Sequence, residues 1–263
     1  MELFHKNRST ASYEVGRDPC SSSFISFYFP TGVLAGNEKS PVLLILNMSY
    51  LPFSHFLIPQ IPNVDIYFWK LDESAADLSA MLPDATLLAE PPYVNFKSEK
   101  RKQEWLASRV LLSRVYPQQP LKIEYEESGR PYLNPAVAEF SISHTKGMAC
   151  IALSREAIGV DIEQISERAF HLRDHFLQED EFDFKSVADP ALVAVFLWSA
   201  KESVYKLVNL PGTELKADIR LKRQNGHGQY LEFSAGVNSV SRPILVRCYP
   251  LEGFVLTVAT YSD

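Results

Sequence analysis

The chain has 263 residues, 46% hydrophobic and 22% charged, with a formal net charge of −6. This is the composition of a globular protein of one or two domains, and it excludes wholesale disorder, a collagen-like fibre and a coiled-coil rod. The acidic balance argues against a nucleic-acid binder and no apolar run approaches the roughly 18–20 residues of a membrane span, while the three isolated cysteines Cys20, Cys150 and Cys248 suit the reducing cytoplasm.

Residues 1–47 hold seven serines, a Cys20-Ser21-Ser22-Ser23 run and turn formers at Pro30, Gly32 and Gly36. They carry no apolar stretch of a secretory signal and no sustained helical period. Residues 24–29 alternate as a short strand, and the segment is expected to be peripheral or partly disordered, with Met48 a candidate alternative start. Alternation over residues 64–71 predicts a strand, and residues 78–88 a short helix. Residues 98–115 predict a strong helix with Ser98 as N-cap, Trp105, Val110, Leu111 and Leu112 on the buried face and charges on the other. A strand at 122–125, a turn at Ser128-Gly129 and a hairpin of 140–143 with 148–153 follow. Then come a strand at 158–165, helices at 169–184 and 192–208, and two hairpins, 219–233 around Asn225-Gly226 and 244–261 around Glu252-Gly253. Strands that pair locally predict an α+β fold rather than a doubly wound parallel sheet.

Four constellations carry candidate chemistry. On the strand Ile158-Gly159-Val160-Asp161-Ile162-Glu163, the two carboxylates share a face while Val160 and Ile162 face a core. Such a pair repels itself, which a hard divalent cation such as Mg²⁺ relieves; a solvated strand face is the plain alternative. In Trp198-Ser199-Ala200-Lys201-Glu202-Ser203-Val204-Tyr205-Lys206, Glu202 and Lys206 stand at i, i+4, as a surface ion pair or as a metal ligand and a phosphate cation. Ser143 and His144, at a strand end, are candidate phosphate donors or structural residues, and they form no Ser-His-Asp relay. Residues 97–114 carry six basic side chains against two acidic, a local net charge of +4, either a solvated helix face or a surface for phosphate or an acidic protein.

Together these residues resemble the 4′-phosphopantetheinyl transferases, specifically the larger surfactin-synthetase-activating type. The family pattern is a (V/I)GxDIE strand followed by a W-x-x-K-E-x-x-x-K helix, here Ile158 to Glu163 and Trp198 to Lys206, with 38 positions between Glu163 and Lys201. Gly129-Arg130-Pro131 is similar to its G-K/R-P element, residues 140–144 to its F-N-x-S-H element with Ser141 in place of Asn, and residues 100–112 to its basic helix ending in R-x-L-L. Residues 209–215 depart from its Gly-x-Gly-Leu stretch.

The resemblance implies an α+β pseudo-dimer of two similar halves in one chain, 64–155 and 156–263, behind an N-terminal extension at 1–63. It implies transfer of the 4′-phosphopantetheine arm of coenzyme A to a serine of an apo acyl or peptidyl carrier protein, with release of adenosine 3′,5′-bisphosphate. Asp161, Glu163 and Glu202 would hold Mg²⁺. Lys206, with Lys201 as a second candidate, would offset phosphate charge, and Glu202 would act as general base. Arg109, Ser143, His144 and Arg101, or Lys100 in its stead, would bind the 3′-phosphate side, and Arg130 and Pro131 would flank the adenine. A cytoplasmic monomer with no nucleic-acid or membrane partner is expected. Two alternatives stay open: another Mg²⁺-dependent phosphoryl or nucleotidyl transferase, and a non-catalytic interaction protein of the same fold.

Overall fold

Period-2 alternation yields a strand only where one face is buried, and in a computed structural model most of the alternating segments find such a face. The structure describes residues 53–54, 61, 63–223, 231–238 and 240–262. The chain divides into two units, Met1–Asn47 and Met48–Asp263. The first unit, with the expected strand at 24–29, lies outside the described residues, as do Met48 and the Asn225-Gly226 turn.

In chain order the elements are β1 (Phe53–Ser54), β2 (Val64–Lys70), α1 (Ala75–Ala80), α2 (Glu99–Val115), β3 (Lys122–Tyr125), β4 (Pro131–Asn134), β5 (Glu139–Thr145), β6 (Met148–Ser154), β7 (Ile158–Gln164), α3 (Glu167–His171), α4 (Arg173–Phe176), α5 (Pro190–Val208), β8 (Ile219–Arg223), β9 (Leu231–Val237), β10 (Val240–Leu251) and β11 (Phe254–Tyr261). One sheet runs β1-β2-β6-β5 and a second β7-β11-β10-β9-β8, while β3 and β4 pair separately. Neighbouring strands are antiparallel throughout. The fold is therefore mixed α+β, as expected. Tight turns at Gly147 (φ 87°) and Gly253 (φ 74°) close the β5–β6 and β10–β11 hairpins, a left-handed backbone that glycine adopts without a Cβ clash.

Helix α2 lays Leu106, Val110 and Leu111 on the first sheet against Trp69 and Ile151. Helix α5 lays Phe196, Ala200, Val204 and Leu207 on the second, against Val246 and Val255. The opposite faces of the sheets meet in a third cluster, with Phe68 and Cys150 from the first and Val160, Ile162 and Val258 from the second. Val160 and Ile162 are thus core residues, which turns Asp161 and Glu163 toward α5.

Three expectations are corrected. The helix expected at 78–88 ends at Ala80 and is replaced by a 3₁₀ turn at Ala85–Ala89; Pro83 disfavours helical backbone at the residue before it. The helix expected at 169–184 is broken into α3 and α4, with Leu177 extended. Phe176 and Leu177 both enter the core, Leu177 from extended backbone. In α2, Glu104 and Arg109 are buried rather than solvated. Ser98 does occupy the N-cap position but makes no side-chain cap bond, whereas Asp189 caps α5 through the Leu192 amide with Pro190 in the first turn.

Candidate active site

The carboxylate cluster forms where α5 crosses β7, and Gly159 permits the crossing. A Cβ there would collide with the Ser203 carbonyl oxygen and stand 2.7 Å from the Leu207 amide nitrogen, both backbone atoms of α5. At that close approach the side chains of α5 reach the outward carboxylates of β7. Asp161, 4% exposed, accepts from Ser143 Oγ at 2.7 Å, Ser199 Oγ at 2.8 Å and Lys206 Nζ at 2.7 Å. Lys206 also donates to the Val160 carbonyl at 3.0 Å. Glu163 accepts from Trp198 Nε1 at 2.9 Å and Thr145 Oγ1 at 3.2 Å.

Glu202 shares this crowded region. Burial first, then the Asp161 charge, push its carboxyl up to about 7, Lys206 pulling the other way and Glu163 adding to the rise. Burial and Asp161 raise Glu163 too, against its bonds from Trp198 and Thr145. Burial opposes the Lys206 ammonium, yet Asp161 and Glu202 hold it above the ordinary lysine range. Among the described residues no three His, Cys, Asp or Glu side chains are gathered as a ready-made set of metal ligands. The site has three acids around one lysine, a local deficit of positive charge.

Beside the cluster opens a cavity of about 400 Å³, within the range of small-molecule sites. Helix α2 contributes Arg101, Glu104 and Trp105, the β3–β4 turn Arg130, β4 Pro131, β5 His144, α5 Tyr205 and Lys206, and the residue capping α5 Asn209. His144 Nδ1 lies 3.4 Å from Glu104 Oε2 and its Nε2 3.4 Å from Arg101 Nη1. Burial lowers its pKa against Glu104, with Lys206 and Arg101 reinforcing the fall, so a neutral ring donates to the acid and accepts from the guanidinium. Arg130 is held by Glu139 at 2.7 Å. Lys206 joins the two regions, since it lines the cavity and bonds Asp161.

Of the residues singled out in the sequence, Arg101, Arg130, Pro131, His144 and Lys206 line this cavity and Lys100 does not. Asp161, Glu163 and Glu202 each feel the Lys206 charge, without being gathered into one ligand set. Three others are placed elsewhere. Ser143 turns to β7, bonding Asp161 and the Ile162 amide. Arg109 lies under Trp105, its guanidinium carbon 3.5 Å from the ring centroid, and is not part of the cavity wall. Lys201 is fully buried on another side of α5, where Nζ donates to Glu181 at 2.8 Å and to the Leu215 and Ile219 carbonyls at 3.0 and 2.7 Å. An ammonium satisfied by three internal acceptors has no donor left for a phosphate, which corrects its expected contact with the cofactor. Sequence reasoning missed Thr145 and Ser199 as carboxylate partners and Tyr205 and Glu104 in the cavity wall. Only Thr145 left a signal, as the third hydroxyl of the alternating run Ser141, Ser143, Thr145.

The scaffold is antiparallel α+β, with acids on one strand, a lysine reaching them from the facing helix and a cavity carrying Arg101, Arg130 and Lys206 beside them. The model of the 4′-phosphopantetheinyl transferase superfamily matches residues 157–258. The 4′-phosphopantetheinyl transferase AcpT of Salmonella typhimurium is 32% identical over 140 residues, 49% of this chain and 67% of that protein, and the AcpT of Salmonella typhi is 31% identical over 139 residues with the same coverage. The 4′-phosphopantetheinyl transferase gsp of Aneurinibacillus migulanus is 31% identical over 122 residues, 44% of this chain, and the match spans about half of that protein (51%). The chain belongs to the 4′-phosphopantetheinyl transferase superfamily.

Proposed function

We propose that this chain transfers the 4′-phosphopantetheine arm of coenzyme A to a serine hydroxyl of an apo acyl or peptidyl carrier protein, releasing adenosine 3′,5′-bisphosphate. The observation that carries this reading is the junction at Lys206, which lines the cavity and bonds the carboxylate cluster. A phosphate-rich ligand in the cavity would present its pyrophosphate at that junction. The two sheets, each with its own long helix, support a pseudo-dimer, and the cavity wall draws on β5 of the first sheet and on α5, which packs on the second, so one copy of the chain suffices. The reaction belongs in the cytoplasm, where Cys150 and Cys248, free and buried, stay reduced.

The chemistry of the donor set fits Mg²⁺. Asp161, Glu163 and Glu202 offer hard oxygens that repel one another, and Mg²⁺ needs only one or two carboxylates besides substrate phosphates and water. When bound it would neutralise charge on the pyrophosphate. Lys206 stabilises the charge that grows on the leaving phosphate. His144, Arg101 and Arg130 hold the nucleotide end and orient it. The serine oxygen attacks the β-phosphorus, the bond to the bridging oxygen breaks, and the serine proton passes to Glu202 as general base.

The test is to incubate the full chain with coenzyme A, Mg²⁺ and an apo carrier protein. The intact mass of the carrier should rise by one phosphopantetheine arm, and no gain across carriers of fatty-acid, polyketide and peptide-synthetase origin overturns the reading. Asp161→Ala should abolish the gain while leaving the chain folded; full activity in that variant defeats the metal assignment.

A further inference from the structure

Strands β5 and β7 are terminal strands of different sheets and are not paired with each other. One edge of β7 is paired with β11, and successive amides of a strand point to opposite edges, so the Val160, Ile162 and Gln164 amides face away from that partner. Hydroxyls take them. Ser141 Oγ accepts from Val160 N at 3.0 Å, Ser143 Oγ from Ile162 N at 3.2 Å and Thr145 Oγ1 from Gln164 N at 3.3 Å. Period-2 alternation puts all three hydroxyls on one face of β5.

Each hydroxyl has one proton to give. Ser143 gives it to Asp161 Oδ1 at 2.7 Å and Thr145 to Glu163 Oε2 at 3.2 Å. The bonds therefore run in one direction, from β7 amide to β5 hydroxyl to β7 carboxylate, and each carboxylate is oriented by the other sheet. The opposite face of β5 carries His144 into the cavity. One strand thus reaches both the cavity, which Ser141 and His144 line, and the acids, which Ser143 and Thr145 meet.

We propose that Ser143 and Thr145 are positioning residues that set Asp161 and Glu163 for a divalent cation through a hydroxyl ladder between the two sheets. The proposal rests on the reading of those acids as Mg²⁺ ligands. Ser141 is its internal control, because it accepts from a β7 amide in the same way but has no carboxylate partner among the described residues. Partners that orient metal ligands typically change metal affinity 10–100-fold when removed.

The experiment titrates the full chain with Mn²⁺, a spectroscopic stand-in for Mg²⁺, by electron paramagnetic resonance without coenzyme A, and follows urea unfolding of the same samples. Ser143→Ala and Thr145→Val should weaken Mn²⁺ binding about 10–100-fold, and Ser143→Thr and Thr145→Ser, which keep the hydroxyl, should restore it. Ser141→Ala should lower the unfolding midpoint without moving Mn²⁺ affinity. In turnover, the KM for coenzyme A should change far less than the Mg²⁺ concentration giving half-maximal rate. If the wild-type chain binds Mn²⁺ through Asp161 and the Ser143 and Thr145 variants lose only stability, as Ser141→Ala does, the ladder is structural and the proposal fails alone. If the wild-type chain binds no Mn²⁺, the metal reading and the proposal fail together.

Discussion

Glu202 and Lys201 are neighbours in sequence with opposite fates. Glu202 stands among carboxylates, its pKa near 7 against an ordinary 4.5. Between those values the folded chain keeps a proton that the unfolded chain has lost. Its contribution to stability is therefore full below about pH 4.5 and is lost as pH rises through about 7. Glu163, also raised, acts in the same direction. Urea midpoints of the metal-free chain should fall between about pH 5 and 7.5, and Glu202→Gln should flatten much of that fall; an unchanged slope would contradict the crowding of the acids. Lys201 belongs to the core, paired with Glu181, the two side chains being 0% and 1% exposed. Lys201→Met leaves Glu181 charged and buried, and breaking such a pair costs about 3–5 kcal/mol. Urea unfolding with no loss of midpoint would show that the pair is not intact. A residue list does not separate these lysines, but helical angle does. At 100° per residue Lys201 and Lys206 project about 140° apart, whereas Glu202 and Lys206 are about 40° apart.

Strand β7 and helix α5 form the element pair on which the site depends, and both are readable from the chain: β7 by alternation, α5 as the helix expected at 192–208. Their contact is not readable in the same way. Gly159 is one of eleven glycines, and its local sequence does not distinguish a close approach from a turn. The structure assigns it the crossing point. Gly159→Ala should push α5 off β7, lowering stability by about 1–3 kcal/mol as overpacking does and weakening turnover more than Gly236→Ala on β9, whose Cβ would meet no neighbour. Unimpaired activity in Gly159→Ala would remove the close approach as the organiser of the site. The broken helix between α3 and α4 shows the other limit. Its apolar residues satisfy a helical period in outline, yet the backbone turns extended at Leu177, which packs into the core beside Phe176.

At the scale of the whole molecule, charge is unevenly spread. The net charge is −6, yet residues 97–114 carry a net of +4. Part of that excess is consumed internally, since Lys100 and Arg101 pair with Glu104 and Arg109 is buried. Lys97 is exposed and Lys102 half-buried, with its ammonium over the Tyr93 ring. The KM for an acidic carrier should rise several-fold as NaCl increases from about 0.05 to 0.5 M, because exposed charges are screened over a few ångströms at the higher salt. A KM independent of salt would place docking on an uncharged surface.

The sequence by itself determined the α+β class, the positions of most strands and of helices α2 and α5, and the carboxylates of β7 with Lys206. Those follow from periodicity and local spacing, which depend on neighbours along the chain. Tertiary structure alone decided that Lys201 serves the core, that Arg109 lies beneath Trp105, and that Ser143 and Thr145 bond β7 instead of the cavity. Each of these depends on which element a side chain meets across the core, and that is set by the packing of two sheets whose contacting residues are far apart in sequence.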